Sequence, residues 1–122
     1  MWTNDELNRI GEADELSIIT LRRDGTRRKP VTIWAVRVDH DIYVRSAYGL
    51  GAAWHRGTRA RPEGHISAGG VDKGVAFQGA APAATDAIDA AYHAKYRRHG
   101  AQYVASVTNP EARTTTIRLV PR

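Results

Sequence analysis

A chain of 122 residues with 42% hydrophobic and 25% charged residues has the composition of one folded domain, residues 1–122, and not that of a disordered segment. It has no cysteine, which excludes disulfides, thiolate metal sites and thiol catalysis, and no apolar run near the ~20 residues of a membrane-spanning helix. Its formal charge of +5, from 18 Lys+Arg against 13 Asp+Glu, suits an anionic ligand without demanding nucleic acid.

The opening MWTNDELNRI is polar and acidic, unlike a targeting peptide, so the expected compartment is the cytoplasm. Thr3-Asn4-Asp5-Glu6 has the spacing of a capping box and predicts a short helix over about residues 4 to 10, ended by Gly11, with Trp2 and Leu7 closing a staple. LSIITLRR (16–23) is rich in β-branched residues and runs into Asp24-Gly25, a hairpin signal. The return strand KPVTIWAVRV (29–38) is apolar on both faces. Val31, Ile33 and Ala35 share one, and Trp34, Val36 and Val38 share the other. Such a strand needs two covers, and a partner subunit is the expected second one. Asp39-His40-Asp41 turns the chain into IYVRSA (42–47). Residues 48–57 read as a loop with one helical turn at Ala52-Ala53-Trp54. HISAG (65–69) and GVAFQG (74–79) read as strands joined by a turn at 70–73. Thr85 caps a helix whose Ile88, Ala91, Tyr92 and Tyr96 share a face, with a basic last turn ended by Gly100. TTTIRLV (114–120) is the last strand. The sum is a mainly β (α+β) domain: a six-stranded antiparallel barrel with two flanking helices.

The chain shows no self-sufficient catalytic machine. Its five histidines lack metal-ligand spacing, no Gly-x-Ser-x-Gly elbow is present, and the paired carboxylates Asp39/Asp41 and Asp86/Asp89 sit at a turn and a helix start. Any hard chemistry would come from a cofactor. Residues 43–70 hold six glycines, Trp54 and several bases. Arg45 and Ser46, at a strand end before a helical turn, would offer side-chain donors and free amides to a phosphate. Trp54 would lie on a flat ring or plug the core. The run Arg22 to Lys29 reads either as a charged hairpin tip or as a strand that aims Lys29 into a groove.

The segments "LSIITLRRDGTRRKPVTIWAV" and "IYVRSA", with the Trp54 turn, resemble the split-barrel proteins related to pyridoxamine-phosphate oxidase and their flavin- and deazaflavin-dependent reductase relatives. The pattern from Trp54 to Phe77 resembles an uncharacterised bacterial family within that clan. The resemblance implies a homodimeric six-stranded split barrel with FMN or a deazaflavin in a groove at the subunit interface. It places Lys29, Pro30, Val31 and Thr32 along the cofactor ring, Arg45 and Ser46 at its phosphate, and Trp54 after them. The chain departs from its relatives at Tyr48 to Ala53, where many carry a basic pair, which leaves Arg56 or Arg59 to complete the clamp. The implied function is a nitroreductase-like oxidoreductase that transfers hydride to a small molecule. The alternative is a non-catalytic binding or carrier protein for a flavin or another small anion. A nucleic-acid-binding barrel is a third reading, disfavoured because the aromatic residues do not interleave with the bases along one strand face.

Overall fold

In the computed structural model, which describes residues 1–122, the capping box at Thr3 closes in both directions. The Glu6 amide donates to Thr3 Oγ1 at 3.1 Å, and the Thr3 amide donates to Glu6 Oε1 at 2.9 Å. The helix it starts, α1 (Asn4–Glu12), runs through Gly11 and is capped by Ala13. Leu7 and Ile10 face inward beside Trp2, whose indole N–H donates to the Leu119 carbonyl at 3.0 Å.

The strands are β1 (Leu16–Thr20), β2 (Val31–Ile33), β3 (Ala35–Val38), β4 (Asp41–Val44), β5 (Glu63–Ala68), β6 (Val71–Gly79) and β7 (Ile117–Pro121). All pair antiparallel, in the order β2-β1-β5-β6-β7-β4-β3. The two ends of this order, β2 and β3, are separated in the chain by Trp34 alone. One extended segment therefore crosses from one edge of the sheet to the other and brings it near closure as a barrel. The expected single strand over 29–38 is this segment. It divides at Trp34 because its first half pairs with β1 and its second with β4, which is why seven strands stand where six were expected.

The turn between β5 and β6 is two residues long and falls at Gly69-Gly70, not at 70–73. Both have positive φ, 57° and 85°, the conformation of the tight hairpin turns that match strand twist.

Sixteen side chains, among them Ile18, Ile42, Ile66, Val75 and Leu119, fill the barrel between the sheet and α1. A second cluster lies on the outer face of β3 and β4. There Val36 and Tyr43 pack against Ile88, Tyr92 and Tyr96 of α3 (Thr85–Tyr96) and Val104 and Val107 of α4 (Ala101–Thr108). Two covers for this strand were expected, and here the chain supplies the outer one itself. The helical part exceeds the two expected helices. The Trp54 turn extends to α2 (Ala53–Ala60), and α4 is followed by α5 (Pro110–Arg113). Helix α3 also fastens the seam: Tyr92 Oη donates to the Trp34 carbonyl at 3.2 Å, and Lys95 Nζ and Tyr96 Oη donate to that of Ala35 at 2.7 and 3.2 Å. No helix is long and apolar enough to cross a membrane.

Candidate functional site

The seam segment, the chain after β4, the first turn of α2 and one face of α4 enclose a cavity of about 290 Å³. Val31 and Thr32 come to it from β2, with Trp34 beside them; Trp54 comes from α2, and Tyr103 and Ser106 from α4. Tyr48, just after β4, completes a set of four aromatic rings. The Trp34 ring is fixed by a near-parallel stack on Tyr96, 4.0 Å between centroids and 5° between planes, and Trp54 meets His55 edge-on. The rim is unusually apolar for exposed surface: Val31 is 37% exposed, Tyr48 86% and Tyr103 55%.

Of the residues expected from sequence, Val31, Thr32, Arg45 and Trp54 meet at this cavity. Lys29 and Pro30 precede Val31 on exposed chain outside its lining, and Arg56 is exposed on α2. Arg59 lines a different cavity, of about 530 Å³, with His55 and Gln78. Sequence reading missed Trp34, Tyr48, Tyr103 and Ser106. The last two lie on α4, a helix the sequence reading did not assign, and Tyr48 lay within the segment read only as a departure from its relatives.

Arg45 and Ser46 are not solvent-facing donors at a strand end, as the phosphate role supposed. Both are 1% exposed. The Arg45 guanidinium pairs with Asp89 of α3, donates to the Val107 carbonyl at 2.9 Å and to Thr116 Oγ1 at 2.8 Å, and lies 5.7 Å from the centre of the Tyr92 ring. Asp89 also pairs with Arg113, so this carboxylate serves two arginines rather than a helix cap. The Ser46 amide donates to Thr115 Oγ1 at 2.8 Å, and its hydroxyl accepts from the Tyr48 amide at 3.3 Å. Ser46 thus shapes the loop that presents Tyr48.

His55 is also a scaffold residue. Its Nε2–H donates to the Thr115 carbonyl at 2.9 Å, while Nδ1 is buried without a partner. Burial holds its pKa below the ordinary 6.5, with the Thr115 bond opposing and Arg59 assisting, so the ring is neutral at pH 7. The polar side-chain groups around the aromatic cavity are the hydroxyls of Thr32, Tyr48, Tyr103 and Ser106, the two indole N–H groups and one guanidinium, which is already paired. A lining of this kind can stack on a flat ring.

Residues 6–119 match the family described as an uncharacterised protein conserved in bacteria, DUF2255. No protein of curated function matches the chain in sequence. Among solved structures, the chain is similar to a conserved hypothetical protein from Mycobacterium tuberculosis, with a TM-score of 0.62 at 15% identity over 100% of this chain and 81% of that one. It is similar to an FAD-binding protein from Mesorhizobium loti, with a TM-score of 0.60 at 13% identity over 99% and 91%. An F420 reductase gives 0.54 at 13% identity over 94% and 90%. At such identities the likeness is one of fold, and it bears out the split-barrel resemblance drawn from sequence.

Proposed function

The chain belongs to the bacterial family DUF2255, and on that premise we propose that it binds a flavin-type cofactor, FMN or a deazaflavin, with the ring in the aromatic cavity. The observation that carries this reading is the convergence of Trp34, Tyr48, Trp54 and Tyr103 on one cavity of about 290 Å³. Aromatic walls stabilise a flat, polarisable ring by stacking and by excluding water. The similarity in fold to an F420 reductase and an FAD-binding protein supports the same ligand class.

In this reading Val31, Thr32 and Trp54 contact the ring. Lys29, two residues before Val31, holds the phosphate, with Arg56 and Arg59 as the other basic candidates. Arg45 and Ser46 act from behind by fixing the wall. A second copy of the chain covers the exposed rim of Val31, Tyr48 and Tyr103 and completes the groove. The reaction is hydride transfer between the ring and a small molecule, with the protein supplying position and a dry pocket. A carrier role for the same cofactor is favoured by one observation, the lack of an acid–base pair among the cavity's side chains.

Titration of the purified protein with FMN and with a deazaflavin, followed by tryptophan fluorescence and visible absorption, tests the proposal. The wild type is expected to bind one of them. Tyr103→Ala should weaken binding by roughly twofold to tenfold, the range of one aromatic stack. Lys29→Ala should weaken it by about tenfold or more, the loss of a charge-assisted hydrogen bond. Failure of the wild type to bind either cofactor overturns the reading. Reoxidation of the bound, reduced cofactor by small acceptors at the rate of free cofactor would assign the carrier role.

A further inference from the structure

A cavity of about 400 Å³ between α1, β3 and α3 shares no residue with the aromatic one. Leu7, Val36 and Ala91 give it an apolar wall, and Glu12, Arg37 and Lys95 bring one acid and two bases to it. Arg37 is braced, its Nε donating to the Asp39 carbonyl at 2.8 Å and its Nη1 to Asn8 Oδ1 at 2.6 Å. That leaves Nη2 for an anion. The chain's three lysines are differently placed. Lys29 is exposed, Lys73 pairs with Glu6 at 2.8 Å, and Lys95 is bonded to a carbonyl, that of Ala35, at 2.7 Å.

A carbonyl partner matters chemically. It needs only one N–H, so a neutral Lys95 amine keeps that bond and has its lone pair free. Burial lowers the Lys95 pKa to about 8. Asp14, from the chain after α1, opposes the shift, and Arg98, from the turn after α3, adds to it. The Tyr96 ring lies 5.0 Å from Nζ, and Glu12 and Arg37 face the same cavity.

We propose that Lys95 is the nucleophile of a second site, which condenses with the carbonyl group of a small oxo acid to form an imine. The Lys95 nitrogen adds to the carbonyl carbon as the carbonyl π pair moves to oxygen. The resulting carbinolamine loses water as the C=N bond forms, and no oxidant or reductant is consumed. Glu12 is the group placed to carry the proton from nitrogen to the departing hydroxyl, and Arg37 to hold the substrate carboxylate.

The test uses the wild-type chain, in which only three side-chain amines compete. Folded protein is incubated with glyoxylate and, separately, with uncharged propanal. Cyanoborohydride traps the imines, and adducts on Lys29, Lys73 and Lys95 are quantified by mass spectrometry. At pH 7.5 glyoxylate should label Lys95 faster than Lys29 by about tenfold or more, because burial leaves part of the Lys95 amine unprotonated. The rate should rise with a midpoint near pH 8. Arg37→Gln should slow labelling of Lys95 by glyoxylate several-fold and leave labelling by propanal unchanged. Labelling that follows exposure, with Lys29 first, overturns the proposal. Equal loss with both reagents in Arg37→Gln, or loss with neither, overturns the oxo-acid assignment.

Discussion

Arg45 carries a full charge at 1% exposure, and its surroundings show what makes that tolerable. Asp89 supplies the countercharge, while Val107, Thr116 and Thr85 accept from further N–H groups and Tyr92 offers a ring face. Removing one member of such a pair leaves the other buried and uncompensated. Arg45→Met should therefore destabilise the fold by about 3–5 kcal/mol in urea unfolding, towards the lower end because Arg113 still pairs with Asp89. Adding Asp89→Leu removes the stranded carboxylate, so the double variant should cost clearly less than the two single changes summed. Additive costs would show that the pair contributes no coupling. Half of this arrangement was legible in the sequence. The segment IYVRSA marks Arg45 as a strand-end residue, but Asp89 lies 44 positions away in a helix, and local pattern carries no information about a pairing at that distance. The phosphate role expected of Arg45 took no account of that pairing.

At the scale of elements, the glycines between Gly64 and Gly74 separate into two kinds. At the first kind the chain itself makes the close approach. A Cβ on Gly64 would stand 2.3 Å from the Ile19 carbonyl oxygen and 2.8 Å from the Phe77 ring. The carbonyl belongs to the neighbouring strand and cannot move without breaking the ladder, so Gly64→Ala should destabilise by about 1–3 kcal/mol. A Cβ on Gly74 meets nothing nearer than the Gly64 carbonyl oxygen at 3.8 Å. Gly74→Ala should be neutral or stabilise by about 0.5–1 kcal/mol through a less flexible unfolded chain. Thermal melts of the two variants that shift together in sign would contradict this division. The strands themselves were legible, since alternation and turn residues mark them locally. The helices over 101–113 were passed over although Asn109-Pro110-Glu111 carries a start signal. Asn109 Oδ1 accepts from the Ala112 amide at 2.8 Å, with proline at the first helical position. Helix α4 offered less, two valines three apart beneath an exposed tyrosine, and its place against α3 is set by tertiary packing.

For the molecule as a whole, the buried bases and phenols fix how stability responds to pH. Lys95 has an ordinary pKa of 10.5 in the unfolded chain and about 8 in the fold, chiefly because burial disfavours its charge. Between those values the unfolded chain holds a proton that the folded chain has released, so stability rises with pH across that window. Tyr92, Tyr96 and Tyr43 act in the opposite sense. Burial pushes each phenol above the ordinary 10.0, so above pH 10 the unfolded chain loses protons that the fold retains, and stability falls. On the acid side, Glu6 is held below its ordinary value chiefly by the Lys73 hydrogen bond and Asp14 chiefly by that of His99. Their contribution is present above pH 4.5 and is lost as the carboxylates protonate at lower pH. His55, kept neutral by burial, adds a loss that begins as pH falls below 6.5. The urea midpoint of the wild type should therefore increase from pH 8 towards pH 10 and turn down beyond it. Lys95→Met should abolish the rise while leaving the alkaline decline in place, because the tyrosines are untouched. A wild-type midpoint that declines steadily from pH 8 upward would show that the Lys95 amine is charged in the fold, and would remove the free lone pair on which its chemistry depends.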